Sequence, residues 1–204
     1  MPNDFLIGTG IYDLTGPAAE LGMMGMASIE QKTEGIHSRL FARAFIVCDQ
    51  SSNKRVLILS ADIWSCTQAV KMEVVKRLKA IFGNNLYTID NVLLSGTHTH
   101  SGPGGYSHYG LFNLSILGFD NQNFECIVSG MVQAIKRAHE NLSPGKLFIN
   151  KGDVEGCGNN RSPIAYEQNP PDEKVRYNGN TDKEMLLLKF VKDDGKEIGC
   201  INWY

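Results

Sequence analysis

Two histidines separated by one residue form the strongest chemical feature of this sequence. His98 and His100 stand in the run Ser95-Gly-Thr-His-Thr-His-Ser-Gly-Pro-Gly-Gly105, directly after the apolar residues 92–94. Because side chains alternate along a strand, both imidazoles are expected on one face, where the strand runs into a glycine-rich turn. Imidazole is the commonest protein ligand for zinc, although a catalytic zinc takes about three protein ligands and a water. The pattern indicates part of a metal site; the alternative is two polar residues that hydrogen-bond nearby backbone.

A second candidate is Arg161, in the loop motif Asn160-Arg161-Ser162-Pro163 that follows a predicted strand. A guanidinium on such a loop can hold an anion or an oxyanion through its planar fork of donors. The same motif also fits a turn with a solvated arginine. Asp62, at the end of an earlier strand, is either a carboxylate that orients a metal ligand or the cap of the following helix.

An apolar segment lies immediately downstream of the histidines. Its large side chains are Tyr106, Tyr109, Leu111, Phe112, Leu114, Ile116, Leu117 and Phe119. Such a segment can line a groove for an acyl chain. Its composition favours a place in the core.

Short β-branched and aromatic runs alternate with two amphipathic helices, which predicts an α/β fold: a mixed, layered sheet-and-helix domain. Strands are expected at residues 41–48, 56–60, 91–99, 146–150, 185–191 and 198–204. Helices are expected at residues 67–82 and 122–142. Each helix lies between two strands, which is typical of βαβ units. The last run ends without a turn or cap, so we expect a fold that is incomplete at its C-terminal edge.

The two helices each carry one apolar stripe, and both stripes are expected to belong to the core. The first stripe consists of Val70, Val74, Leu78 and Ile81. The second consists of Phe124, Val128, Met131, Ile135, Ala138 and Leu142.

The composition excludes several classes of protein. Twenty basic and 22 acidic residues leave a formal net charge of −2, so the overall charge gives no indication of nucleic-acid binding. The five cysteines lack the paired spacing of a zinc ribbon or a redox dithiol. No run reaches the roughly 18 apolar residues of a membrane-spanning helix. Residues 1–5 lack the features of a secretory signal peptide.

Four separated motifs, in this order, resemble those of the neutral (non-lysosomal) ceramidases. They are GTGIYDLTGPAAELGMMGM at 8–26, EQKTEGIHSR at 30–39 with ARAF at 42–45, the THTHSGPGG run, and NRSP at 160–163. The resemblance covers essentially the whole chain. It implies that residues 1–204 are the N-terminal portion of a catalytic domain, with further ligands and an immunoglobulin-like domain beyond Tyr204.

The resemblance also implies an activity: zinc-dependent hydrolysis of the N-acyl bond of ceramide to sphingosine and a fatty acid. On the matching motif positions, His98 resembles the first zinc ligand, His100 the neighbouring active-site histidine, and Arg161 the arginine that faces the substrate. The expected partners are ceramide and, through this lipid, a membrane surface. The expected location is secreted, at the cell surface or in a membrane-bound compartment.

Three interpretations stay open. The chain is either catalytic within a longer protein or an inactive, truncated relative that acts as a binding or regulatory protein. A third possibility is a free-standing metal-binding or lipid-binding module. The first reading requires the missing zinc ligands to follow Tyr204, because two histidines do not fill the coordination shell.

Overall fold

The structure, a computed structural model, describes residues 5–26 and 28–204. It divides into two compact units, Met1–Gly145 and Lys146–Tyr204. Residues 1–4, which enter the argument about a signal peptide, lie outside the described ranges. Among the described residues no helix is long and apolar enough to cross a membrane.

A mixed sheet forms the centre of the first unit. Its strands are β1 (Phe5–Asp13), β2 (Phe41–Asp49), β3 (Arg55–Ala61), β4 (Val92–Gly96) and the start of β5 (Ser143–Asp153). Their order is β4-β3-β2-β1-β5. All neighbours are antiparallel except β3 and β4, which are parallel and are connected through α1 (Gln68–Phe82). The α/β prediction is confirmed, and β3-α1-β4 is the first predicted βαβ unit.

The second predicted βαβ unit is wrong. The helix α3 (Asn121–Glu140) leads from β4 to β5, but β5 pairs antiparallel with β1. The strand β1 was not expected, because glycines interrupt its apolar pattern. A Cβ at Gly10 would collide with the Ala134 carbonyl oxygen, so the glycine allows α3 to pack directly on the strand. Packing against α3 therefore explains why glycines interrupt the apolar pattern of β1 in the sequence.

The core lies between this sheet and the helices. α3 packs on β1 and β2, and α1 packs against α3. Most of the predicted stripe residues are buried, including Val74 and Leu78 of α1 and Met131 of α3. Ile81 is an exception, since it is half exposed. Phe82 packs inward in its place, with its ring 4.4 Å from that of His139.

The second unit contains three strands and two short helices. β5 is followed by α4 (Pro163–Glu167), α5 (Pro171–Lys174), β6 (Glu184–Lys192) and β7 (Glu197–Trp203). The strand order is β5-β6-β7, and β6 and β7 are antiparallel. The three strands predicted in this part of the chain are confirmed, each with slightly different ends. β7 is at the end of the strand order.

One arginine connects the two long helices of the first unit, and this contact is expected to contribute to the free energy of unfolding. Arg77 of α1 donates to both carboxylate oxygens of Glu125 in α3, each at 2.7 Å. These bonds, with a further one from Ser129, lower the pKa of Glu125 from 4.5 to about 2. A carboxylate with a lowered pKa stabilises the fold above its unfolded pKa, and this contribution is lost as pH falls from about 4.5 towards 2.

We therefore expect Glu125→Gln to lower the free energy of unfolding at pH 7 by about 1 kcal/mol, the upper end for a pair that solvent screens. About half of the Glu125 side chain is exposed, which limits the effect. Denaturant unfolding at pH 7 and at pH 2.5 measures it. The matched control is Glu140→Gln, whose pair with Lys136 is longer, at 3.8 Å. An equal loss for Glu125→Gln at both pH values would contradict the assignment.

Candidate active site

The two histidines lie where the parallel strands β3 and β4 end. Beyond the strands, the Thr97 N–H donates to the Ala61 carbonyl at 2.8 Å, and the His98 N–H donates to the Ile63 carbonyl at 3.1 Å. The two loops that leave the sheet are thus held side by side. In α/β sheets, binding sites commonly open at this edge.

The sequence prediction of how the histidines come together is wrong in its geometry. β4 ends at Gly96, so neither His98 nor His100 is a strand residue. His98 has φ +64°, a left-handed conformation that breaks the alternation of a strand. The loop nevertheless brings the two imidazoles together, with ring centroids 4.9 Å apart. The two rings are neighbours, as expected, but a loop and not a strand brings them together.

Each imidazole is fixed by a backbone carbonyl. The Nδ1 of His98 lies 3.1 Å from the Trp64 carbonyl oxygen, and the Nδ1 of His100 lies 2.8 Å from the Gly25 carbonyl oxygen. A carbonyl oxygen only accepts hydrogen bonds, so Nδ1 carries the proton in both rings. In the neutral imidazole the Nε2 atom then carries the lone pair. Both histidines are therefore prepared to bind or accept through Nε2.

The fixed tautomer of these histidines is compatible with zinc binding through Nε2. Histidines that bind zinc commonly donate their other N–H to a backbone carbonyl or a carboxylate, which fixes the ring and its tautomer. Within residues 5–26 and 28–204, no group of three or more His, Cys, Asp or Glu side chains is placed to hold a metal ion. The described residues thus offer the beginning of a coordination shell.

Two titratable side chains near this loop are kept neutral by burial. Burial raises the pKa of the Cys66 thiol to about 12 and also raises the pKa of Tyr106 to about 12. The Tyr106 hydroxyl accepts a hydrogen bond from the Ser65 N–H at 3.3 Å. Since a thiol binds metal and attacks carbonyls as the thiolate, Cys66, which is partly buried against the core, is unreactive at neutral pH.

Asp62 does not cap the following helix. Thr67 does, accepting from the Val70 N–H at 3.5 Å. One Asp62 oxygen accepts from the Phe41 N–H at 3.0 Å and the other from Arg43 at 2.9 Å. The carboxylate therefore joins the start of β2 to the loop after β3, and these two hydrogen bonds do not involve the histidines. The expectation of a cap is wrong.

The apolar segment after the histidines is mostly exposed, so its predicted place in the core is wrong. Only Tyr106 and Ile116 of the eight residues are buried. We call the other six the apolar strip: Tyr109, Leu111, Phe112, Leu114, Leu117 and Phe119. It includes the short helix α2 (Gly110–Asn113). The Trp64 indole connects the strip to the histidines, with ring centroids 5.4 Å from Phe112 and 5.8 Å from His98.

Arg161 belongs to the second unit and is exposed in a bend before α4. Asn160 shapes this bend, because its side-chain oxygen accepts the Ser162 N–H at 2.8 Å. Among the described residues Arg161 has no ion-pair partner. Its guanidinium is therefore available to an anionic or oxyanionic ligand.

Residues 5–204 match the family described as neutral/alkaline non-lysosomal ceramidase, N-terminal. The chain belongs to this ceramidase family. It is 49% identical over 200 residues to the neutral ceramidase of Oryza sativa, covering 98% of this chain and 25% of that protein. It is 44% identical to the neutral ceramidase of Pseudomonas aeruginosa, covering 98% of this chain and 29% of that protein.

Solved ceramidase structures have the same fold. The crystal structure of neutral ceramidase from Pseudomonas aeruginosa superimposes with a TM-score of 0.93 at 43% identity, covering 98% of this chain and 31% of that chain. A ceramidase complexed with C2 matches with a TM-score of 0.92. This chain therefore spans between about a quarter and a third of the ceramidases that it matches.

Sequence reasoning missed the two residues whose carbonyl oxygens hold the histidines. Gly25 lies 75 residues before His100, and Trp64 lies 34 residues before His98. Their roles depend on backbone oxygens, which every residue type has. The only available signal was position: Trp64 follows the end of a strand, and Gly25 stands in a motif shared with the family.

Proposed function

We propose that this chain supplies part of the active site of a zinc-dependent amidase that hydrolyses the N-acyl bond of ceramide to sphingosine and a fatty acid. In this proposal residues 1–204 form the N-terminal portion of the catalytic domain. The supporting observation is the pair His98 and His100, each with Nδ1–H bonded to a backbone carbonyl and Nε2 left to bind or accept. Membership of the ceramidase family supports the choice of substrate.

The proposed roles are those that the resemblance to the ceramidase motifs implies, and the chemistry of the three side chains is compatible with them. His98 would hold zinc through Nε2, and His100 would move a proton at the reacting amide through its own Nε2. Arg161 donates to the oxyanion that forms as the amide is attacked. Zinc, when bound, polarises the amide carbonyl and lowers the pKa of a water to about 7.

The apolar strip supports a lipid substrate. Leu111, Leu114 and Leu117 have exposed fractions of 70–87%. They belong to the same strip as Phe112, whose ring lies beside that of Trp64, and the Trp64 ring lies beside that of His98. Burying such side chains against hydrocarbon is favourable by about 25 cal/mol per Å² of apolar surface. We propose that the strip contacts the acyl chain of ceramide or the membrane surface that presents it, at the cell surface, in secretions or in a membrane-bound compartment.

Removing the metal tests this function. The complete gene product is purified, treated with a chelator and assayed on a short-chain ceramide by following release of the fatty acid. We expect hydrolysis to disappear and to return when about one zinc per protein is added, while magnesium does not restore it, because imidazole favours zinc over magnesium. Full activity in the zinc-free protein would overturn the zinc proposal, and absence of ceramide hydrolysis with zinc bound would overturn the substrate.

A further inference from the structure

Gly25 makes a hydrogen bond that determines the orientation of His100. Its carbonyl oxygen accepts the Nδ1–H of His100 at 2.8 Å. Because this bond fixes which ring nitrogen carries the proton, it also determines that Nε2 has the lone pair. The backbone of one loop thus controls the chemical state of a side chain 75 residues away.

Position 25 has no room for a side chain. A Cβ there would lie 2.9 Å from Cε1 of His100 and 2.9 Å from Cδ1 and Nε1 of Trp64. The backbone also has φ +78°, which a residue with a Cβ adopts only with strain. Any larger residue must therefore displace the imidazole, the indole or its own loop.

The loop itself is held in place. Met23 forms an isolated antiparallel bridge with Pro103, and the Gly104 N–H donates to the Gly22 carbonyl at 2.9 Å. The segment 22–25 is therefore joined to the turn that directly follows His100. Since the backbone is held on this side, the imidazole or the Trp64 indole must move.

We propose that Gly25 is a positioning residue for His100: its lack of a side chain and its left-handed backbone together hold the imidazole with Nδ1–H on the Gly25 carbonyl. The expected effect of Gly25 on the rate of ceramide hydrolysis rests on the proposed function. The orientation and tautomer of His100 do not depend on it.

Gly25→Ala in the complete gene product tests this proposal, with two matched controls. Gly35→Ala adds a methyl group where no atom lies within 4 Å, and Gly83→Ala adds one at φ +88° with no neighbour within 4 Å. The second control separates backbone strain from crowding. The first readout is the nitrogen-15 NMR signature of the His100 ring in zinc-free protein, assigned by its loss in His100→Gln. The second is kcat and KM for a short-chain ceramide.

In Gly25→Ala we expect the Nδ1–H signature of His100 to disappear and kcat to fall by about 10- to 100-fold with KM changed less than about twofold, since small displacements of a catalytic group carry penalties of this order. Both controls keep the signature and the wild-type kcat. An unchanged His100 signature in Gly25→Ala overturns the proposal. If the His100 signature changes in Gly25→Ala and the wild-type protein does not hydrolyse ceramide, the positioning role is supported and the proposed function is refuted.

A second variant keeps the test decisive if Gly25→Ala does not fold. The double variant Gly25→Ala with Trp64→Ala removes both indole atoms that the new methyl group would meet, but leaves the contact with His100. We expect it to fold with His100 still displaced. A folded double variant with the wild-type His100 signature overturns the proposal.

Discussion

Replacing His98 by asparagine is expected to remove bound zinc and to lower ceramide hydrolysis by about a thousandfold or more. Asparagine is the appropriate replacement because His98 has φ +64°, and asparagine tolerates this left-handed conformation better than alanine does. The size of the effect follows from the several kcal/mol that a metal contributes, at about 1.4 kcal/mol for each tenfold change in rate. Zinc content and the initial rate on a short-chain ceramide are the two measurements.

His37→Ala is the control for this variant. His37 is exposed and lies outside the histidine pair, so zinc content and rate are expected to stay at the wild-type values. The outcome that contradicts the assignment is His98→Asn protein that keeps one zinc and the wild-type rate. In that case His98 would be a loop residue that hydrogen-bonds the Trp64 carbonyl and has no metal to hold.

The second large effect is expected for His100→Gln. Removing a group that transfers a proton typically costs 10²- to 10⁴-fold, so kcat is expected to fall by about that factor while zinc content stays near one per protein. Glutamine retains an amide N–H that can donate towards the Gly25 carbonyl, but it does not exchange protons near neutral pH. The measurements are kcat, KM and zinc content on the same preparation.

Comparison of the two histidine variants separates their roles. We expect His98→Asn to lose zinc and His100→Gln to keep it, although the rings are only 4.9 Å apart. Loss of zinc in His100→Gln would make His100 a ligand as well. Wild-type kcat in His100→Gln would exclude it from proton transfer.

The helices and most strands could be predicted because their patterns are local. The apolar stripe of α1, including Val74 and Leu78, repeats at helical spacing, and the structure buries it. The strand β1 could not be predicted, since Gly10 stands where a strand pattern requires an apolar side chain. It is a glycine because α3 passes so close, which is a property of the packed molecule.

The apolar strip illustrates the opposite failure. Its composition is that of a core segment, yet Leu117 has an exposed fraction of 87%. Composition indicates how favourable it would be to bury a segment, but it does not indicate whether the core of the protein or another surface buries it. The sequence therefore identified an apolar segment next to the histidines, and only the structure distinguished core from surface.

By itself the sequence determined the α/β class, the histidine pair and, through its motifs, the ceramidase family. Those features depend on residue type and short spacing, which are read directly. Only the tertiary structure showed that a left-handed backbone at His98 brings the two imidazole rings close together. It also showed that the carbonyl oxygens of Gly25 and Trp64 orient these rings. Backbone oxygens are the same in every residue, so their position becomes visible only when distant loops are folded against each other.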